Sequence, residues 1–117
     1  MNPEIKQKWV SALRSGQYKQ TTDKLRNCEG FCCLGVLTDL MCKETNPETD
    51  QDTWFNSIAE ELEGDENLAP SVAKWAGFDE DTVNRQDIVV NNGVYISGIN
   101  DRGASFLQIA DIIEEQL

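Results

Sequence analysis

Two stretches of the sequence carry side chains that could hold an anionic ligand. In the first, Tyr18, Lys24 and Arg26 fall along one predicted hairpin in the basic N-terminal part of the chain. Ammonium and guanidinium groups bind phosphate, and an aromatic ring can stack a nucleobase. These three residues are therefore candidate ligand-binding residues, although an edge strand protected by charge would have the same composition.

The second stretch leads directly into the last predicted helix. Asn100, Arg102, Gly103 and Ser105 stand in a short loop before that helix. Free backbone N–H groups and the helix dipole attract anions at such a position. Arg102 would add positive charge, and Gly103 would let a ligand approach the backbone. The alternative interpretation is a capped helix preceded by a glycine turn, without a ligand.

The chain carries no recognisable catalytic pattern. It contains no histidine, and nucleophilic catalysis by Cys33 or Ser105 would need a histidine or an equivalent base nearby. It has neither the phosphate-binding loop nor the dinucleotide-binding fingerprint. The acids Asp79 and Asp81 stand in an acid-rich stretch that is typical of a solvated loop. We therefore predict a binding protein without catalytic residues or cofactor, and an enzyme without histidine remains the third alternative.

Four cysteines occur, and none of their spacings predicts a metal site. Cys32 and Cys33 are adjacent, and Cys28 and Cys42 flank them at distances that fit no common zinc motif. In a reducing compartment such cysteines are free thiols. Because free cysteine is among the most buried residue types, we predict that they lie in the core or are partly buried.

The net charge of −11 is distributed unevenly along the chain. Residues 1–26 hold six basic groups and two acids, and the remaining residues hold four basic groups and nineteen acids. Phosphate backbones repel such an acidic domain, so we expect no direct binding to nucleic acid. Acids in residues 60–66 and 79–81 could instead imitate nucleic acid and occlude a protein that binds it. A solvated acidic surface that only confers solubility has the same composition.

Membrane association is not predicted either. No apolar run approaches the roughly 20 residues that a membrane-spanning helix needs. The opening residues 1–6 lack the apolar core of a signal peptide. We therefore expect a cytoplasmic protein without a membrane partner.

Three helices are predicted from apolar spacing and capping residues. The first runs over residues 3–15, with Asn2 as its cap. The second is central and buried, begins near Cys33, and contains Gly35, which implies close packing against another element. The last follows Ser105 and Gln108, which form a capping-box pattern. Residues 70–76 predict a further short helix, and residues 54–62 have helical spacing over a short segment.

Two hairpins complete the predicted fold. The first has strands on either side of a turn at residues 27–30. The second has strands at residues 87–91 and 94–97, joined by Asn92 and Gly93, the dipeptide that best predicts a tight hairpin turn. The 117 residues suit one domain spanning 1–117. The predicted class is α+β: a small single domain with two β-hairpins, with the option of one shared antiparallel sheet, packed by N-terminal, central and C-terminal helices.

The segment from Leu25-Arg26 to Gly30-Phe31-Cys32-Cys33-Leu34-Gly35-Val36-Leu37 carries an LR…GFCCLGVL motif. This motif resembles that of a family of small proteins of unassigned function encoded by tailed bacteriophages and prophages. Residues 1–9, 72–77 and 100–106 look similar as well, so the resemblance spans nearly the whole chain. It implies an accessory protein that acts in the cytoplasm of an infected bacterial host cell.

Small phage proteins of this kind often act in counter-defence, which sets the expected partners. The leading prediction is non-catalytic sequestration of a nucleotide-type host immune signal by a homodimer or higher oligomer. The alternative is an acidic inhibitor that mimics nucleic acid and occludes a host defence or nucleic-acid-binding protein. The predicted partner is thus a nucleotide-like small molecule or a host defence protein.

Overall fold

The computed structural model describes residues 1–45 and 67–117. Their elements are, in chain order, α1 (Pro3–Arg14), β1 (Arg26–Asn27), β2 (Gly30–Phe31), α2 (Cys33–Thr45), α3 (Pro70–Trp75), α4 (Glu80–Arg85), β3 (Val89–Val90), β4 (Val94–Tyr95), α5 (Ile96–Asp101) and α6 (Phe106–Gln116). This part of the chain is α+β, as predicted. The helical spacing of residues 54–62 and the acids of residues 60–66 lie outside the described residues. None of the described helices is long and apolar enough for a membrane span.

Helix α1 forms where the capping pattern predicts it. Asn2 Oδ1 accepts a hydrogen bond from the Glu4 backbone N–H at 2.9 Å, which satisfies a free donor of the first turn. The buried side chains of Ile5, Trp9 and Leu13 form one stripe, and this stripe packs against α6 and α2. The indole N–H of Trp9 donates to the carbonyl of Cys33 at 3.0 Å, so α1 is also tied to the start of α2.

Helix α2 is the buried centre of the domain. Its residues from Cys33 to Asp39 are all buried. A Cβ atom at Gly35 would lie 1.7 Å from the carbonyl oxygen of Leu25. The close packing predicted at this glycine is therefore confirmed, because the segment before β1 crosses α2 at backbone contact. Cys32 lies between β2 and α2, and its Sγ accepts a hydrogen bond from the Gly35 N–H at 3.4 Å.

The first hairpin is confirmed, but the two hairpins do not share a sheet. Strands β1 and β2 pair antiparallel on either side of the predicted turn, and β3 and β4 form a separate two-stranded sheet. Residue Gln20 adds a parallel bridge to Phe31. The Phe31 N–H donates to the Lys19 carbonyl, and the Thr21 N–H donates to the Phe31 carbonyl, both at 2.8 Å. Residues 19–21 thus cover the outer edge of β2.

The second hairpin turns one residue earlier than predicted. Positive φ angles occur at Asn91 (51°) and Asn92 (62°), and the Gly93 N–H donates to the Val90 carbonyl at 3.1 Å. The two asparagines are therefore the central residues, as in a type I′ turn, and Gly93 is an extra residue before β4. The cause is a distant side chain: Gln116 Oε1 accepts from the Asn91 N–H at 2.7 Å.

The predicted strand over residues 94–97 ends at Tyr95, and helix α5 follows it. The buried carboxylate of Asp87 accepts hydrogen bonds from the Ser97 hydroxyl and, at 3.4 Å, from the Ser97 backbone N–H. These bonds satisfy the first turn of a helix and disfavour an extended strand. Asn100 consequently lies on a helix and not in a loop. The expected loop at residues 79–81 is also wrong, since Asp79 caps α4 by accepting from the Thr82 N–H at 2.9 Å.

The cysteines are free thiols, and most of them are buried. Cys32, Cys33 and Cys42 are buried and Cys28 is exposed, so core placement is confirmed for three of the four. Burial raises the pKa of the Cys32 thiol to about 12 and raises that of Cys33 well above its usual value. Among residues 1–45 and 67–117, no group of three or more histidine, cysteine or acidic side chains could hold a metal ion.

Candidate ligand-binding site

Asn100 is fully buried and joins three parts of the chain. Its Oδ1 accepts hydrogen bonds from the Cys33 N–H at 3.2 Å and from Gln20 Nε2 at 2.9 Å. Its Nδ2 donates to the Thr21 carbonyl at 2.9 Å. These bonds satisfy the amide at the start of α2, so the side chain of this candidate holds the fold together and does not face solvent.

The two predicted anion-binding stretches lie next to each other. Gln20 Nε2 donates to the Ala104 carbonyl at 2.7 Å, and the Asp23 N–H donates to Asp101 Oδ1 at 2.9 Å. The candidates of this region that are exposed to solvent are Lys24, Arg102, Gly103 and Ser105. A side chain at Gly103 would meet no atom within 4 Å, so the backbone there is open to solvent.

Ser105 has a structural role that the sequence predicts. Its Oγ accepts from the Gln108 N–H at 3.2 Å, and Gln108 Oε1 accepts from the Ser105 N–H at 2.9 Å. This reciprocal pair is the capping box of α6. It satisfies two backbone N–H groups at the helix start, which are the groups that an anion would otherwise contact.

Phe31 connects two candidates of the first stretch. The guanidinium carbon of Arg26 lies 4.9 Å from the centre of the Phe31 ring, which is cation–π distance. The Tyr18 ring meets the same phenylalanine edge to face, with ring centres 5.1 Å apart. Tyr18 and Arg26 thus contact one aromatic ring. Of the three candidates predicted along this hairpin, Arg26 lies on strand β1, whereas Tyr18 and Lys24 precede it.

Tyr18 belongs to a polar cluster at the base of α2. Its hydroxyl donates to Asp39 Oδ2 at 2.5 Å. Lys43 Nζ lies 3.0 Å from that carboxylate oxygen and 3.2 Å from the tyrosine hydroxyl. Burial raises the pKa of Tyr18, and the hydrogen bond to Asp39 raises it further. The hydroxyl therefore remains protonated at neutral pH and acts as a donor, not as a base.

Tyr18 and Lys43 of this cluster line an open groove of about 530 Å³ between α1 and α2. The groove combines apolar and polar side chains, namely Gln7, Lys8, Ser11, Ala12, Ser15, Gln17, Tyr18, Leu40 and Lys43. Its size falls in the range of small-molecule sites. Apolar side chains suit a flat ring, and ammonium groups suit an anion, so the groove can hold a ligand that carries both.

A family model described as a domain of unknown function, DUF8296, matches residues 1–117. The chain belongs to the DUF8296 family. Comparisons with the curated proteins and with the solved structures found no match. Because the family description assigns no activity, the function of the DUF8296 domain has to be argued from its own side chains.

Three charged residues at this groove of the DUF8296 domain are absent from the sequence-based candidates. Lys43 and its partner Asp39 have the acid-to-lysine spacing of i and i+4, a signal that can be read from sequence. Lys8 lies on α1 on the side away from the buried stripe, and nothing local distinguishes it from other surface lysines. Only the packing of α1 on α2 brings Lys8 and Lys43 to the same groove.

Lys8 is already paired in the DUF8296 domain. Its Nζ lies 3.2 Å from Glu44 Oε1, and Glu44 Oε2 accepts from the indole N–H of Trp75 at 2.9 Å. Hydrogen bonds from Lys8 and then from Trp75 lower the pKa of Glu44. Both charged side chains are about half exposed, at 57% for Lys8 and 45% for Glu44, so solvent screens this pair.

Two further depressions of the DUF8296 domain are not lined by the predicted site residues. One of about 460 Å³ includes Asp79, Asp81 and Arg85 of the α4 region. The other, of about 370 Å³, lies between Lys74 and Glu80. Of the seven predicted site residues, Tyr18 lines one of these three depressions, and that depression is the groove between α1 and α2.

Proposed function

We propose that this domain is a non-catalytic binding protein that sequesters a nucleotide-type ligand in the groove between α1 and α2. The observation that carries the proposal is the fixed position of the Tyr18 ring in that groove. The buried Asp39 holds its hydroxyl, and the ammonium group of Lys43 lies 5.1 Å from its ring centre. The same groove also carries the ammonium group of Lys8, and an aromatic ring in a groove with such a cation is the arrangement that binds a base next to a phosphate.

Preorganisation supports a capturing role. Tyr18 is held by a hydrogen bond to Asp39 and by an edge-to-face contact with Phe31. A side chain that is already ordered loses little conformational entropy when the ligand arrives, so more of the contact energy appears as affinity. A protonated tyrosine can bind and orient a ligand without attacking it. This favours capture over conversion.

The resemblance to phage accessory proteins supports the choice of ligand. Nucleotide signals of bacterial immunity combine a base with phosphate groups, and a protein that withholds them needs affinity and no chemistry. On this proposal the protein acts in the cytoplasm of the infected host cell, and a homodimer or higher oligomer raises the number of sites per particle.

A thermal-shift screen tests the proposal. The purified protein is heated with cyclic dinucleotides, cyclic oligonucleotides and ADP-ribose derivatives, because a ligand that binds the folded state raises its stability by mass action. We expect at least one compound to raise Tm by several degrees and to be recovered intact, by mass spectrometry, after heat denaturation. The shift should vanish in Tyr18→Ala and persist in Tyr95→Ala, whose ring is 49% exposed elsewhere.

Two results would overturn this proposal. No shift with any nucleotide would exclude the nucleotide class. Recovery of a chemically altered compound, at a rate that a point substitution abolishes, would show an enzyme.

A second candidate function is an acidic inhibitor of a host nucleic-acid-binding protein. The observation that favours it is the position of Asp79, Glu80 and Asp81, which are exposed at the start of helix α4. Acids on a rigid helix can face a basic protein surface better than acids in a loop. This candidate predicts salt-sensitive binding to a host nucleic-acid-binding protein, loss of that binding in the Glu80→Gln, Asp81→Asn double variant, and no response to nucleotides.

A further inference from the structure

The two lysines of the groove between α1 and α2 differ in how firmly they are paired. Lys43 faces Asp39 at 3.0 Å, and Lys8 faces Glu44 at 3.2 Å. The exposed fraction of the Asp39 side chain is 6%, whereas that of Glu44 is 45%. The two ion pairs have similar lengths, but breaking the Lys43 pair would strand a buried carboxylate, whereas breaking the Lys8 pair would leave a carboxylate in contact with water.

Lys43 cannot leave Asp39 to pair with an anionic ligand. Drawing it away would leave the buried carboxylate of Asp39 without its cation, and uncompensated buried charges are strongly unfavourable. Lys43 also donates to the Tyr18 hydroxyl at 3.2 Å. Its ammonium group therefore remains paired with Asp39 when a ligand binds, and the pair adds no net charge to the groove.

Lys8 can change partners at little cost. Exposed ion pairs contribute little free energy, because water and salt screen both charges. A phosphate monoester or diphosphate group carries more negative charge than the Glu44 carboxylate and offers more acceptor oxygens. Once released, Glu44 keeps the hydrogen bond from the Trp75 indole, at 2.9 Å.

We propose that Lys8 is the residue that binds the anionic group of the ligand, and that Glu44 is an internal competitor that occupies Lys8 while the groove is empty. The inference rests on the proposed function, because it assigns the phosphate position of that same groove. It implies that the chain lowers its own affinity through Glu44. Removing the Glu44 charge should strengthen binding, and removing the Lys8 charge should weaken it.

Inorganic pyrophosphate serves as the probe, and the NMR signal of the Trp75 indole N–H serves as the readout. This signal reports on Glu44, because Glu44 accepts the indole hydrogen bond. It should shift when pyrophosphate binds Lys8 and the Lys8–Glu44 ion pair breaks. Calorimetric titration measures the affinity of every variant, because Glu44→Gln removes the charge on which the Trp75 signal reports. We expect the dissociation constant to be about two- to fivefold lower in Glu44→Gln than in the wild type, the size of effect that an exposed ion pair supports. Lys8→Gln should abolish the shift.

Matched variants control for net charge. Glu115→Gln removes an exposed acid from α6 and Lys74→Gln an exposed base from α3, so each changes the charge of the chain by the same amount as its test variant. Three results would each overturn the inference. The first is equal affinity in Glu44→Gln and Glu115→Gln, and the second is equal affinity in Lys8→Gln and Lys74→Gln. The third is the absence of pyrophosphate binding by any of these proteins.

The failure of this inference can be told from the failure of the proposed function. A nucleotide that binds the wild type, Glu44→Gln and Glu115→Gln equally would reject the role of Glu44 and leave capture in the groove standing. If the domain binds pyrophosphate through Lys8 but no nucleotide raises its Tm, the proposed ligand class is rejected and the role of Lys8 stands.

Discussion

The hydroxyl of Tyr18 donates a hydrogen bond of 2.5 Å to the buried carboxylate of Asp39. This bond joins the loop after α1 to the core helix α2 and fixes an aromatic ring at the side of the groove. The carboxylate is buried because Lys43 and Tyr18 both compensate it, which is the usual condition for a charge inside a protein.

Removing the Tyr18 hydroxyl should destabilise the fold. Tyr18→Phe leaves Asp39 with Lys43 as its remaining side-chain partner, so we expect a loss of about 1.5 kcal/mol in the free energy of unfolding. Urea denaturation followed by tryptophan fluorescence measures this. Tyr95→Phe, at an exposed ring, should change stability by less than about 0.5 kcal/mol. Equal effects of the two substitutions would contradict the role assigned to the bond with Asp39.

A side chain at Gly35 should be among the most damaging single changes. In Gly35→Ala the new methyl group would meet the Leu25 carbonyl oxygen, because an ideal Cβ lies 1.7 Å from it. We expect a loss of about 3 kcal/mol or failure to fold. Gly98→Ala is the control, since a Cβ there meets no atom within 4 Å and alanine favours helix. It should stabilise by about 0.5–1 kcal/mol. A tolerated Gly35→Ala would disprove the close approach.

The cysteines should differ in reactivity. Cys28 is exposed, whereas the other three are buried, and the pKa of Cys32 is raised to about 12 because burial disfavours the thiolate. Titration with a thiol-specific chromogenic disulfide at pH about 8 should label one thiol rapidly in the native protein and all four in denaturant. Cys28→Ser should leave no rapid phase, and a second rapid thiol would contradict the burial of the cysteine pair.

Asp87 should give stability a pH dependence of its own. Burial raises its pKa, although hydrogen bonds from Ser97 and Ile88 act in the opposite direction. A raised pKa in the folded state means that the contribution of this group is complete below the unfolded pKa. It is lost as pH rises through the folded pKa. The wild type should therefore lose stability relative to Asp87→Asn as pH rises above about 4, the usual pKa of an aspartate, measured by urea denaturation. A gain over this range would reverse the sign and refute the prediction.

The elements that the sequence predicts correctly depend on local signals. The cap of α1 and the capping box of α6 need only residues two or three positions apart, such as Asn2 with Glu4 and Ser105 with Gln108. The close packing at Gly35 follows from a glycine inside an apolar helix. Each of these signals lies within about one helical turn of the sequence.

The errors come from contacts between distant residues. The hairpin turn shifts to Asn91 because Gln116, 25 positions away, binds its backbone and side chain. Residues 96–101 become helical because Asp87 binds Ser97. Tyr18 is among the sequence-based candidates, but the two lysines of its groove, Lys8 and Lys43, belong to different helices, so their proximity depends on the fold.

NMR mapping of the bound nucleotide tests the central claim most directly. The compound with the largest thermal shift is added to 15N-labelled protein, and the shifted amides are assigned. Capture in the groove between α1 and α2 predicts changes at Ser11, Tyr18, Leu40 and Lys43, with unchanged ligand recovered afterwards. Changes confined to residues 100–105 would place the ligand at the start of α6 and contradict the account.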